Sequence, residues 1–150
     1  MNSAQEHRNR LIDYLEDLAE RGDRSSLARL RSGLQEGREL EGLAVVLPFI
    51  APHDRPPKRT EDDALLIAGL FAMHPESGTA SLPDALRIVA QDSDSVELRF
   101  RALLGSSRDD LPTHLRHAVS LVAGRGIPID WRNLHSAVTF WDHPSGRTRR

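Results

Sequence analysis

The chain has 150 residues, 39% of them hydrophobic, and no cysteine. That length lets one domain bury a core unaided, and the missing thiols exclude disulfides, thiolate zinc sites and cysteine catalysis together. With 22 acids against 20 bases the formal charge is −2, which excludes a uniformly basic nucleic-acid binder and leaves only local basic patches.

The type of base matters more than the balance. Of the bases, 19 are arginine and one, Lys58, is lysine. Arginine offers a planar fork of donors that matches phosphate oxygens and stacks on bases. A GC-rich genome enriches arginine too, so the test is whether acids and arginines separate onto different faces. The start, MNSAQEHRNR, lacks the apolar core of a signal peptide. No apolar run reaches membrane-spanning length, so a cytoplasmic location without membrane contact is expected.

Residues 4–21 read as an amphipathic helix, with Leu11, Tyr14, Leu15 and Leu18 on one face and Asp13, Glu16, Asp17 and Glu20 on the others. Gly22 and Asp23 break it. A shorter helix follows over 25–32, with Leu27 and Leu30 inward and Gly33 closing it. Arg24, Arg29 and Arg31 lie around this helix, and no acid falls between Asp23 and Glu36, so it is a first basic patch. Residues 38–51 predict a third helix with Leu40, Leu43, Ala44, Val46, Leu47 and Ile50 apolar, which Pro48 kinks or ends. Residues 51–60 read as a proline-rich loop carrying Arg55, Lys58 and Arg59. Thr60 and Asp63 look like a capping box for a helix over 61–74, apolar on nearly every side and therefore the central one.

After a Ser/Gly-containing loop, Ser81 caps a helix to Ala90 with Leu82, Leu86 and Val89 inward. A further helix ends near Leu104, with Val96, Phe100, Leu103 and Leu104 as its seam. Arg99 and Arg101 flank that seam, and Glu97 sits one turn before Arg101. In the next helix the seam is Leu111, Leu115, Ala118, Val119 and Val122, beside Arg116 and His117. Asp109 or Asp110 is placed to cap it, Pro112 fits its first turn, and Gly124 and Gly126 stop it. Asp130 then caps a last helix whose face carries Trp131, Leu134, Ala137, Val138 and Trp141. No alternating pattern is long enough for a strand. The expectation is an all-α, single-domain, bundle-like protein of about seven to eight helices.

Catalytic chemistry finds no support. There is no P-loop, dinucleotide turn or HExxH motif. His114 and His117 stand three apart without a carboxylate at a matching offset, so no metal or other cofactor is expected. Asp62–Asp63 and Asp109–Asp110 fall at helix starts, where they complement the macrodipole. Ser106 and Ser107 have no base that the sequence places. What remains is phosphate contact through two patches: Arg24, Arg29 and Arg31, and Arg99, Arg101, Arg108 and Arg116 with His117 as a further donor. Arg108 falls in a loop between helices. The competing reading is a helical protein–protein adaptor whose arginines serve ion pairs, Arg101 with Glu97 above all.

The ordered set GDRSSLARLRSG at 22–33, LLIAGLFAMHP at 65–75, SLPDALR at 81–87, ELRFRALLGSSRDDLPTHLRHAVSLV at 97–122 and IPIDWRNLHSAVTFWD at 127–142 resembles CasB, the small subunit of the type I-E CRISPR surveillance complex, Cascade. The resemblance implies an all-helical, non-enzymatic subunit of a ribonucleoprotein built on CRISPR RNA. Two copies would lie along its belly, against the backbone and large subunits, bracing the guide–target duplex and holding the displaced DNA strand. Sequence is then read by base pairing, and the subunit needs only sequence-blind phosphate contacts. The family continues past the position of Trp141 into a further basic helix. The sequence stops at Arg150, so the resemblance leads to the expectation of a C-terminal end shortened relative to the family, with Arg147, Arg149 and Arg150 where that helix would start.

Overall fold

Apolar residues at helical spacing, punctuated by glycine, aspartate and proline, fold residues 3–50 and 57–141, the part this computed structural model describes, into eight α-helices, one 3-10 turn and one short strand. The all-α expectation holds. Arg55, Arg147, Arg149 and Arg150 lie outside the described residues. The chain forms two compact units, Met1–Pro75 and Glu76–Arg150.

In the first unit, α1 (Ser3–Arg21) buries Leu11, Ile12, Leu15 and Leu18, and Gly22 ends it with φ 69°, a conformation glycine adopts without a Cβ clash. Asp23 then starts α2 (Arg24–Ser32). Its Oδ1 accepts from Ser26 N at 3.1 Å and its Oδ2 from Ser26 Oγ at 2.9 Å, satisfying a backbone donor that the first helical turn leaves open. Hydrogen bonding from Ser26, backbone first and then side chain, holds the Asp23 carboxyl below its ordinary range, and the charges of Arg21 and Arg29 add to this. Leu27 and Leu30 point inward. Next come α3 (Glu39–Val46) and a 3-10 turn at Leu47–Phe49 that contains Pro48. The Phe49 ring stacks on Tyr14 of α1 at 5.0 Å. The central helix, α4 (Pro57–Met73), packs against α1, α2 and α3 and buries Ile67, Ala68, Leu70 and Phe71.

Two expectations for this unit are corrected. The loop ends earlier than residue 60, because α4 begins at Pro57, where a missing N–H costs nothing. Thr60 therefore lies inside the helix and caps nothing, and Lys58 pairs with Asp62 at 3.2 Å one turn on. In α3 and the turn after it, Leu40 and Leu47 do not join the buried seam: they are 78% and 51% exposed. Gly42 and Val46 face inward instead. A Cβ at Gly33 would lie 3.0 Å from the Gly42 Cα, so the backbones of α2 and α3 meet at a glycine–glycine contact, and that contact decides which side of α3 is buried.

The second unit holds a strand the sequence did not announce, β1 (Ser77–Ala80). It pairs in parallel with Ile129, and Asp130 N donates to Ala80 O at 2.8 Å. Ser77, Gly78 and Thr79 are all exposed, so no buried face imposes an alternating pattern. Ser81 caps α5 (Leu82–Ala90) by accepting from Asp84 N at 3.2 Å. The helices α5, α6 (Asp94–Leu104) and α7 (Leu111–Gly124) pack on one another. Asp110 occupies the position before α7, but in helical conformation with no capping bond from its side chain. It accepts from Ser107 Oγ at 3.3 Å instead, a correction to its expected cap. Asp130 does cap α8 (Trp131–Thr139), accepting from Asn133 N at 3.0 Å. Trp131 and Trp141 are both buried.

Candidate nucleic-acid interface

On α2 all three predicted arginines are exposed, but they do not share one face. At ~100° per residue Arg24 and Arg31 lie about 20° apart, whereas Arg29 lies about 140° from Arg24. Arg31 Nη1 donates to the Ala72 carbonyl of α4 at 3.0 Å, so this guanidinium also ties α2 to α4 and keeps its other donors for a ligand. Arg29 is on the side toward α3. There Glu41 is held below its ordinary range, first by the side-chain hydrogen bond from Arg38, with the charge of Arg29 adding to it. Arg38 and Glu41 form a two-pronged exposed pair, Nη2 to Oε1 at 3.0 Å. The first patch is thus an edge, Arg24 and Arg31, plus a separate Arg29.

The second patch divides in the same way. Arg99 and Arg101 lie about 160° apart on α6, both exposed. Arg101 pairs with Glu97 at 3.0 Å, as the i, i+4 spacing implied. With both partners mostly in solvent, the pair contributes little to stability and opens readily. On α7, Arg116 and His117 are exposed on the side opposite the Leu111–Val122 seam. Thr113 and Ser120 share that outward side and are also exposed. Their spacing from Arg116 and His117, three or four residues, places these hydroxyls there.

Arg108 differs from the rest. It is half-buried, and its Nη1 donates to the Val138 carbonyl at 2.7 Å, at the carbonyl-rich end of α8 where a cation is favoured. Ser106 Oγ donates to Leu103 O at 2.7 Å, and Trp141 Nε1 donates to Ser106 O at 3.0 Å. The loop that carries Arg108, expected as a phosphate contact, is therefore tied down on both sides. Arg108→Ala is expected to lower stability by ~1–3 kcal/mol, the range for a lost charge-assisted hydrogen bond, as read from a urea melt. Its effect on nucleic-acid affinity should be smaller than that of Arg116→Ala.

Among the described residues no three His, Asp or Glu side chains gather as a metal site, and no helix is long and apolar enough to cross a membrane. The geometry offers outward cations on several helices.

The model of the family described as CRISPR-associated protein Cse2 matches residues 26–150. The chain belongs to the Cse2 family. A Cse2 protein of Thermus thermophilus is 33% identical over 141 residues, covering 90% of this chain and 80% of that protein. The crystal structure of a Cse2-family CRISPR-associated protein from Thermus thermophilus superposes with a TM-score of 0.82 at 31% identity, over 95% of this chain and 92% of that one. The M. ruber CasB structure gives a TM-score of 0.68 at 26% identity, over 83% and 79% of the two chains. Cse2 likeness thus spans both units, and the CasB resemblance read from the ordered motifs stands.

Proposed function

We propose that this chain is a non-catalytic subunit of a Cascade-type CRISPR ribonucleoprotein. It binds nucleic acid without regard to sequence, braces the CRISPR RNA–target duplex and helps hold the displaced DNA strand. Its neighbours are the backbone and large subunits and a second copy of itself. Membership in the Cse2 family carries this reading, and the outward cations supply the chemistry: Arg24, Arg29 and Arg31 on α2, and Arg99, Arg101, Arg116 and His117 on α6 and α7. Arg108 supports the second group by fixing the loop between those helices. Because the guide reads sequence, these contacts need only follow the backbone.

The test is an affinity pull-down of the tagged full chain from its host, with bound nucleic acid sized on a gel. Short RNA of discrete length, arriving with several protein subunits, is expected. Arg24→Glu and Arg116→Glu should each weaken retention of that RNA at unchanged helical content, and the effect should shrink as salt rises, because released counterions drive phosphate binding. Retention that is indifferent to salt and to both substitutions counts against phosphate contact. Exposed Leu40 and Leu47 on α3 and the turn after it favour a second reading, a protein adaptor without direct nucleic-acid contact. Stable protein partners with no RNA in the same pull-down would select it.

A further inference from the structure

The second unit carries a cleft that phosphate contact leaves unused. Its volume is about 420 Å³, within the ~300–1,000 Å³ of small-molecule sites. Leu82, Leu103, Leu115 and Leu134 line it, all buried, and the buried Trp141 adds an indole. Two rows of polar side chains line it as well. Ser81, Asp84 and Arg87 recur at every third position along α5 and its cap, and Asn133 and Ser136 do the same on α8. Side chains three apart share one side of a helix.

These rows offer more donors than acceptors. Asp84 is the one carboxylate of the lining, and its Oδ1 already accepts from Arg87 Nη1 at 2.7 Å. The Arg87 guanidinium also lies 5.9 Å from the centre of the Phe100 ring. It is therefore held from two sides and keeps its Nε and Nη2 donors. Ser81 Oγ accepts from Asp84 N and still has its own proton to give. The Asn133 backbone N–H goes to Asp130, but among the described residues its side-chain amide and the Ser136 hydroxyl hold no partner. A head group rich in acceptors matches such a rim, and the leucines match an alkyl body. A water takes ~30 Å³ of liquid and a methylene about as much, so the cleft holds about fourteen such groups, a chain of about twelve carbons with its two oxygens.

We propose that this cleft binds a medium-chain fatty carboxylate, with the alkyl chain against the leucines and Trp141 and the carboxylate at the polar rim on Arg87. The site is separate from the outward arginines of α2, α6 and α7. Asp84 opposes the charge of the ligand, and Arg87 balances Asp84. Substitutions of these two paired residues must therefore move the affinity in opposite directions.

The experiment titrates the full chain with ω-brominated octanoate, decanoate, dodecanoate and tetradecanoate, each below its micelle concentration. It uses a Trp131→Phe background, which leaves Trp141 as the one indole, and bromine quenches an indole on contact. Calorimetry on the wild-type chain runs beside it. Saturable quenching is expected. Affinity should rise about twofold per methylene, half the full transfer effect because the cleft is open to solvent, and level off beyond dodecanoate. Arg87→Gln should weaken decanoate binding about tenfold, and Asp84→Asn should strengthen it about threefold. Ala137→Phe, which fills the cleft from its α8 side, should abolish saturation. None of these three positions is buried, so circular dichroism should not change. Absence of saturable quenching overturns the site. Affinity that climbs without a plateau through tetradecanoate, or that ignores both Arg87→Gln and Asp84→Asn, marks surface adsorption and overturns it too. Equal quenching by ω-bromodecanol shows that the cleft takes any apolar group, a partner protein's side chain included, and overturns the carboxylate assignment. No nucleic acid enters the experiment, so its failure leaves the ribonucleoprotein reading standing.

Discussion

Trp131→Ala is expected to cost the second unit about 3–5 kcal/mol, the range for emptying a buried tryptophan site. Trp131 is 1% exposed and opens α8, and its Nε1 donates to the Glu76 carbonyl at 3.0 Å. Next to it, Asp130 N donates to Ala80 O, and Asp130 caps α8 through Asn133 N. The indole thus fills the core and ties the segment before β1 to α8, beside the Asp130 contacts that close β1 and start the helix. Removing it leaves a cavity the size of an indole, and only the exposed side of Glu76 is easily rehydrated. Against a typical total of ~5–15 kcal/mol, the loss is a large fraction, and in urea it should lower the midpoint by about 1 M or more. Trp131→Phe keeps most of the ring and loses the indole hydrogen bond, so its cost should stay near 1–2 kcal/mol. If the alanine variant melts within about 0.3 M of wild type, the ring is not the anchor that its burial and hydrogen bond describe.

The caps show how far local chemistry carries a sequence reading. Ser81 and Asp130 start their helices as expected because an N-cap needs only its own side chain and the next three backbone groups. Asp110 failed the same rule because its backbone is helical rather than extended. Thr60 failed because a proline three residues earlier had already started α4. β1 was illegible because its pairing partner, Ile129, lies about fifty positions away in the sequence, and because it buries no face. Leu40 and Leu47 misled because hydrophobic periodicity registers apolar side chains, whereas the buried side of α3 is chosen by Gly42, which has no side chain to register.

The candidate site was legible as a set of residues and illegible as a surface. Position along a helix shows that Arg116 and His117 lie beside a seam, and both prove exposed. It does not show that Arg31 reaches a carbonyl 41 residues away or that Arg108 reaches one 30 residues away. Those bonds decide which guanidiniums also hold the fold. The Arg101–Glu97 pair was foreseeable because an i, i+4 relation is wholly local. Patches on one short helix also split once the angle per residue is applied, as Arg29 separates from Arg24 and Arg31.

Gly69 sets the last prediction, in which two general rules oppose each other. It lies inside α4, where alanine should be favoured over glycine by about 0.5–1 kcal/mol on helix propensity alone. A Cβ there would meet Leu34 Cδ2 at 2.5 Å and the Leu30 carbonyl of α2 at 3.0 Å. The leucine cannot clear the site by turning its tip, because its branch-point Cγ lies nearer still, and the carbonyl belongs to a helix held by Leu27, Leu30 and the Arg31–Ala72 bond. Overpacking a core costs typically about 1–3 kcal/mol, which exceeds the propensity gain. Gly69→Ala is therefore expected to be destabilising by about 1 kcal/mol and Gly69→Val by about 3 kcal/mol, giving the order Gly, Ala, Val from most to least stable in a urea melt. Helix propensity by itself puts alanine first, so a stabilised Gly69→Ala would mean that α2 yields to the methyl group and that the close approach of α2 and α4 does not constrain the first unit.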